Sequence, residues 1–294
     1  MLFRSTLDLS RLPPPELLRD VVYQSILSDR LARLKANLNA AGIAWDVDSL
    51  TANPLVLLER EDAYREFLLL QAINDVARAR MLAFAAGADL EHIGANFGVV
   101  RQTGEDDSRL RRRIQLAPDA YTTAGSEAAY IYHALTADPR VVDAVAVGHG
   151  SHLVAPGEVI VSVLCEDGGD PDVQTEILAN VRARLFDKRI KPLTVILRLQ
   201  AATPLTYTIS AVLKIRRGPD PQVVRAEALA RLGAYLGNRR QVGRLHTRSG
   251  ILAALHTASL ETVDLQIPAA DVDPGQVGIA VPTAINVTTE IVDG

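Results

Sequence analysis

The chain has 294 residues, 48% of them hydrophobic but only 4% aromatic, which is length enough for two or three domains with cores of Leu, Val, Ile and Ala. Its formal charge of −4 is spread along the chain, which excludes a basic stripe for nucleic acid and a polybasic membrane patch. The single Cys165 excludes an internal disulfide and a cysteine-based zinc site, and suits a reducing cytosol. The N-terminal MLFRSTLDLSRLPPPE has neither the apolar core nor the cleavage site of a secretory signal. No apolar run approaches the ~20 residues that span a bilayer. These features predict a soluble chain.

Residues 1–15 end in Pro13-Pro14-Pro15, an extended arm that needs a surface to dock on. Glu16–Asn39 has helical spacing, with Leu17, Val21, Ile26, Leu27, Leu31 and Leu34 on one side, and Gly42 stops it. Asp48 or Ser49 is a candidate cap, and Pro54 suits the first turn of the next helix. That helix is expected to run from Pro54 to a glycine stop at Gly87, followed by a short helix, Leu90–Asn96, capped by Asp89. Ala63, Phe67, Leu70, Asn74, Ala77, Met81 and Phe84 step alternately by four and three. This is the 3.5-residue period of a helix that keeps one seam against a partner. A buried Asn such as Asn74 fixes register in such a seam. Tyr23, Ile26 and Leu27 of the first helix are expected nearby. The spacing alone favours a bundle within the chain, with a bundle between chains as the alternative.

Residues 101–108 are a polar link and a domain boundary. Arg109–Ala117 is a short helix whose Arg111-Arg112-Arg113 is most simply a solvated face. Ser126 caps a helix over Glu127–Ala137. The period then changes from 3.6 to 2. Strands are expected at Val141–Val147, Glu158–Leu164 and Leu193–Leu199, with a helix over Val173–Phe186. After a link at Gln200–Pro204, a second unit reads as a strand (Thr206–Ile215), a helix (Gln222–Leu236), a basic loop (Asn238–Arg248), a helix capped by Ser249 (Gly250–Thr257), and strands at Leu260–Ile267 and Ile285–Val292 around a Pro268–Gly278 loop. HALTADPRVVDAVAV and HTASLETVDLQI both run from a helix end through a His into a strand, a hint of related units. The predicted fold is α+β. An N-terminal long-helix bundle (1–100) is followed by two small α+β domains, 101–200 and 201–294.

Chemistry-bearing motifs are sparse. His149 and His152 offer two imidazoles without a third ligand, in a Gly-rich turn. Asp167, Asp170 and Asp172 lack the Gly and bidentate Glu of a calcium loop. Gly94–Gly98 follows no strand, so it is no dinucleotide fingerprint. Ser151 sits in no nucleophile elbow, and Cys165 at a strand end is a small buried residue. No acids, bases and nucleophiles converge. The reading is non-catalytic, with no cofactor and no metal. The alternative of a different class is a metal-dependent hydrolase using His149/His152 or the Asp167–Asp172 turn.

Several motifs occur together in order: Ala63-Tyr64-Arg65-Glu66, Asn74, Ala77 through Leu90, Ile93 through Asn96, Leu110 through Gln115, and Ala124 through Ala134. With Asp8-Leu9-Ser10, Leu12-Pro13, Ile26-Leu27 and Arg30 upstream, the chain resembles the baseplate assembly protein J family of contractile-tail phages. The resemblance is dense from 54 to 134 and looser in the C-terminal third. It implies a structural baseplate wedge subunit of a phage or R-type tailocin, assembled in the bacterial cytoplasm. Its N-terminal helices would bundle with a second wedge protein. C-terminal domains would pair with further copies of the chain to close a six-fold ring around the hub. That ring couples host binding to sheath contraction. Sheath initiator and hub or spike proteins are implied neighbours, with no nucleic acid or membrane partner. The partner seam expected on this basis is Tyr23, Ile26, Leu27, Ala63, Phe67, Leu70, Asn74, Ala77, Met81 and Phe84. The short polar stretch Arg101–Asp107 departs from members with longer insertions.

Overall fold

The computed structural model describes residues 9, 12–13, 21–44, 53–122, 125–166, 168–218 and 220–292. Pro14 and Pro15 of the expected arm, the helix start at Glu16, the cap candidates Asp48 and Ser49, and Asp167 lie outside these residues. The chain divides into two compact units. An N-terminal unit holds Leu7–Arg101 with Asp106–Arg111, and a C-terminal unit holds Gln102–Glu105 with Arg112–Gly294.

In the N-terminal unit, α1 (Tyr23–Ala40) and α2 (Pro54–Ala79) pack as a hairpin, and α3 (Gly87–Ala95) follows. The Asn53 side chain accepts from the Leu55 amide at 2.9 Å and Pro54 occupies the first turn, so α2 starts where its sequence places it. It ends earlier than expected. The helix stops at Ala79, and the amides of Phe84 and Ala85 turn back onto the Met81 carbonyl at 2.9 and 2.8 Å. The cause lies far along the chain. Arg111 donates to the carbonyls of Leu82 (2.8 Å) and Ala85 (2.6 Å), acceptors that a continuing helix would have used itself. Gly87, at φ +53°, opens α3 instead of closing α2, and its amide donates to Asp107 at 2.9 Å. Asp89 is therefore inside α3 and not its cap.

The sequence from Arg101 to Asp107 is not a solvated link. Glu105 is buried and accepts from Arg113 at 2.7 Å, and the Gln102 side chain donates to the Thr136 carbonyl at 2.8 Å. The helix α4 (Asp107–Leu116) carries the arginine run, and the expectation of a solvated face fails for all three residues. Arg111 caps the turn after α2, Arg112 binds the buried Asp143, and Arg113 is buried against Glu105. A charge run read along the sequence says nothing of what carboxylates and carbonyls the fold brings to it.

The C-terminal unit contains two three-stranded sheets. The first has the order β1 (Val141–Val147), β2 (Glu158–Cys165), β3 (Ile196–Ala201), with β1 antiparallel and β3 parallel to β2. The capped α5 (Glu127–Ala137) and α6 (Pro171–Leu185) pack on it, burying Tyr130, Leu135, Ile177, Val181 and Leu185. The second has the order β5 (Leu260–Ile267), β4 (Thr203–Arg216), β6 (Gly278–Val292), again one antiparallel and one parallel pair. Its Ile209, Ala211, Leu213 and Ile215, alternating along β4, form a core with Val224, Ala228 and Leu232 of α7 (Pro221–Asn238) and Ile251 and Leu255 of α8 (Arg248–Leu255).

Four further expectations are corrected. Gln200–Pro204 is strand: β3 ends at Ala201 and β4 begins at Thr203. Pro204 is tolerated because β5 pairs with β4 only from Ser210 onward, so that stretch needs hydrogen bonds on one side alone. Leu193 is fully exposed ahead of β3, which starts at Ile196. Thr247, not Ser249, caps α8, accepting from the Gly250 amide at 3.1 Å. β6 starts at Gly278, well before Ile285.

The two sheets are tied together. Asp143, Val145 and Val147 point to one face of β1. Val145 and Val147 pack with Val242, Ala202 and Val277, the Asp143 carboxylate accepts from the Val242 amide at 2.8 Å, and the Ser162 hydroxyl donates to the Val277 carbonyl at 2.7 Å.

Burial and the nearby Arg184 charge push the buried His133 down to about 4, whereas an unfolded chain titrates its His near 6.5. The folded state therefore holds this stabilisation in full above about pH 6.5 and loses it as pH falls toward 4, an effect of about 3 kcal/mol. Asp138, held near 2 chiefly by its hydrogen bonds from Arg140, keeps its contribution in full above its ordinary value of 3.8 and loses it only as pH falls from there toward 2. Urea denaturation of wild type is expected to show this loss between pH 7 and 4.5, and His133→Asn to flatten it. An unchanged slope in the variant would remove the assignment.

Candidate interaction surface

At 3.6 residues per turn, α2 carries apolar residues around most of its circumference. One side holds Val56, Ala63, Phe67, Leu70, Asn74 and Ala77, of which Val56 and Ala63 are buried and the rest half-buried. The opposite side holds Leu57, Leu58, Leu68, Leu69, Ile73 and Val76, all exposed, with Leu69 at 66% and Val76 at 60%. Soluble helices ordinarily place charge there. Here Glu61 and Arg65 interrupt a side that is otherwise largely apolar, which makes it the candidate interaction face.

The inner side is where α1 packs. Tyr23 meets Phe67 edge-on with ring centroids 6.4 Å apart, and Tyr64 stacks on Phe67 at the same separation. Arg30 of α1 bridges three carboxylates of α2: Glu59 at 2.8 Å, Glu66 at 3.0 Å and Asp62 at 3.2 Å. Below the outer stripe, an open groove of about 690 Å³ runs between the C-terminal part of α2 and α3, floored by Val76, Ala79 and Ile93 and edged by Asp75, Arg80, Asp89, His92 and Asn96.

Among the residues expected to form the seam, Tyr23, Ala63 and Phe67 come together inside the hairpin, and Ile26 and Leu27 are half-buried on α1. Leu70, Asn74 and Ala77 continue the inner side beyond the Tyr23–Phe67 contact. Met81 and Phe84 are not on the helix, because the turn at Arg80–Ala85 takes them off its axis. Among the described residues the N-terminal helices form this hairpin and not a larger bundle. The outer stripe was missed by following one periodicity. Its signal was the contiguous Leu55-Val56-Leu57-Leu58 and Leu68-Leu69-Leu70 runs, which no single stripe accommodates.

The motifs weighed for metal chemistry do not assemble. His149 and His152 are exposed in the turn between β1 and β2, Asp170 caps α6 by accepting from the Asp172 amide at 2.9 Å, and no three His, Cys, Asp or Glu among the described residues group to hold a metal. Cys165 is buried at the end of β2. No helix among the described residues is long and apolar enough to cross a membrane.

Comparison with known proteins shows the family. Residues 51–106, which hold α2, the groove and α3, match the Baseplate J-like N-terminal domain, and residues 122–201 match the Baseplate J-like central domain. The chain is 35% identical to baseplate protein J of Escherichia phage P2, over 90% of this chain and 92% of that one. It belongs to the baseplate J family. The matched N-terminal segment thus coincides with the part of the molecule whose apolar surface is left uncovered.

Arg30→Ala leaves Glu59, Asp62 and Glu66 on one helix side without their cation. In urea titrations at low salt the hairpin is expected to lose about 1 kcal/mol, less at high salt. Arg30→Lys should recover only part, since an ammonium lacks the planar fork that reaches three acceptors. Equal stability of all three proteins would show the cluster to be inert.

Proposed function

We propose that the chain is a structural, non-catalytic wedge subunit of a contractile tail baseplate, and that the uncovered face of α2 receives the helices of a second wedge protein. Membership of the baseplate J family supports the baseplate role, and the exposed stripe Leu58, Leu69, Ile73 and Val76 carries the partner assignment. In this reading α1 covers one side of α2 and the partner covers the other. Leu70, Asn74 and Ala77, past the Tyr23–Phe67 contact, extend the buried seam into the shared bundle, where Asn74 sets register. Ring closure between wedges falls to residues 205–294, and sheath initiator and hub or spike proteins are further neighbours. The weaker contacts between wedges are then the bistable element that host binding shifts.

The double variant Leu69→Asp/Ile73→Asp tests the partner face. Both side chains are exposed, so the isolated chain should keep its stability within about 0.5 kcal/mol, while co-purification with the co-expressed neighbouring wedge protein is lost. Retained co-purification and particle assembly would sink the assignment. Asn74→Leu should still bind but give heterogeneous stoichiometry by native mass measurement, and a uniform complex would remove the register role.

Ring closure needs a gentler test than truncation at Ala201, which would strip Val242 and Val277 from Val145 and Val147. Ile291→Lys on the outer strand β6 is exposed. It is expected to leave the two-protein wedge intact and to abolish rings in electron micrographs. Normal rings would place closure elsewhere.

A further inference from the structure

In the C-terminal unit, a cleft of about 610 Å³ is lined by Ala137, Asn180, Ala183, Arg184, Asp187, Arg189 and Ile190. It shares Arg189 and Ile190 with a more enclosed cavity of about 60 Å³. Three buried polar atoms here have no hydrogen-bond partner among the described residues: the Tyr130 hydroxyl and His133 Nδ1, whose residues line the inner cavity, and Arg184 Nε, whose residue lines the adjoining cleft. Tyr130 and His133 line the inner cavity and are 2% and 9% exposed, so water does not freely satisfy them. Buried polar groups are nearly always paired, and several unpaired donors at one place call for a missing acceptor.

The groups are of one kind. Burial raises the Tyr130 hydroxyl, so it keeps its proton and donates. Neutral His133 donates from Nδ1 in one of its two tautomers. Arg184 is a partly buried guanidinium, pushed down mainly by burial, with Asp187 acting on it in the opposite direction. Arg189 at the mouth pairs with its neighbour Asp187 and stays exposed. The surrounding segment is basic, since Arg182, Arg184, Lys188, Arg189 and Lys191 stand against Asp187 alone between 182 and 191. Gly125 keeps the site open. A Cβ there would lie 2.9 Å from the Tyr130 hydroxyl and 2.8 Å from Pro192.

We propose that this inner cavity is a binding site for a small oxyanion of carboxylate or phosphate size, held by the Tyr130 hydroxyl and His133 Nδ1 with Arg184 and Arg189 supplying the charge. One water needs about 10–15 Å³ of such volume, so the cavity takes a carboxylate or phosphate group but not a larger ligand. The anion comes either from solution or from an Asp or Glu side chain of an adjoining subunit.

The test uses the full chain, with sodium acetate and inorganic phosphate as separate probes against sodium chloride of equal ionic strength. The readouts are the His133 ring resonances and the melting temperature. A saturable shift of the His133 ring with at least one probe is expected. Tyr130→Phe keeps the ring and removes only the hydroxyl, and should weaken binding about tenfold, the loss of one hydrogen bond to a charged acceptor. Arg189→Gln, an exposed change that leaves the core intact, should weaken it similarly, while Arg216→Gln outside the cleft should not. Response to acetate alone assigns the site to a carboxylate such as a neighbour's side chain, and response to phosphate assigns it to the free ion. No saturable shift with either probe, or equal affinity in Tyr130→Phe, overturns the proposal.

Discussion

A helix of 26 residues with apolar side chains on both sides is not stable alone in water, and the N-terminal unit is arranged around that constraint. The α1 hairpin covers one side of α2 through Tyr23 and Phe67, and Arg30 gathers the three carboxylates that flank them. The other side stays in contact with solvent. Fully burying a Leu or Ile is worth about 1.5–3 kcal/mol, whereas association costs roughly 4–15 kcal/mol in lost freedom. The magnitudes are comparable, so a partner holding two or three of these side chains would dissociate and one covering the whole stripe would persist. In the proposed reading, wedge formation is therefore a property of a long continuous contact, for which a straight helix is the simplest provider.

A second constraint is the supply of donors for chain ends. With few aromatic residues to pack over loops, the protein uses guanidinium groups to satisfy carbonyls. Arg111 takes those of Leu82 and Ala85, Arg225 that of Val287, Arg231 that of His256, Arg239 that of Leu245, and Arg248 those of Leu265 and Pro268. Apart from Arg239, which reaches only to its own loop, each holds a carbonyl of a segment distant in sequence. This explains why the basic stretch Asn238–Arg248, which looks like a solvated loop, instead has its two terminal arginines directed inward.

The α+β class and the strands Val141–Val147 and Leu260–Ile267 were legible from alternation alone, as were α5 and its Ser126 cap, because those signals are local. The end of α2 was not, since it depends on Arg111, 26 and 29 residues away from its two acceptors. The same holds for Glu105 and Asp143, acidic residues whose burial follows from arginines elsewhere. For the candidate surface, periodicity identified the right helix and missed its outer face. A heptad count selects the best single stripe, and α2 has more than one. The unpaired cluster at Tyr130, His133 and Arg184 left no trace in the sequence, because an absent partner has no motif.

The two sheets share one pairing pattern, a central strand with one antiparallel and one parallel neighbour. The similar segments at 133–147 and 256–267 fall on equivalent parts, each running from a helix into the antiparallel edge strand. In the first sheet that piece precedes the central strand, and in the second it follows the crossover helix. The transposition leaves β4 and β6 as a long parallel pair, from Thr203 opposite Gly278 to Arg216 opposite Val292. A strand edge of that length is an aggregation hazard unless blunted. At its start, the Gly278 carbonyl is taken by the Gly243 amide at 2.8 Å. Pro282 has no amide to offer, and the register shifts beside it. Beyond Pro282 the Val287 carbonyl is taken by Arg225, while Ile285 and Ile291 lie exposed on either side of it. In the proposed reading, Gly243 and Pro282 keep an added strand from the start of this edge, so a second copy would meet it at the exposed Ile285 and Ile291.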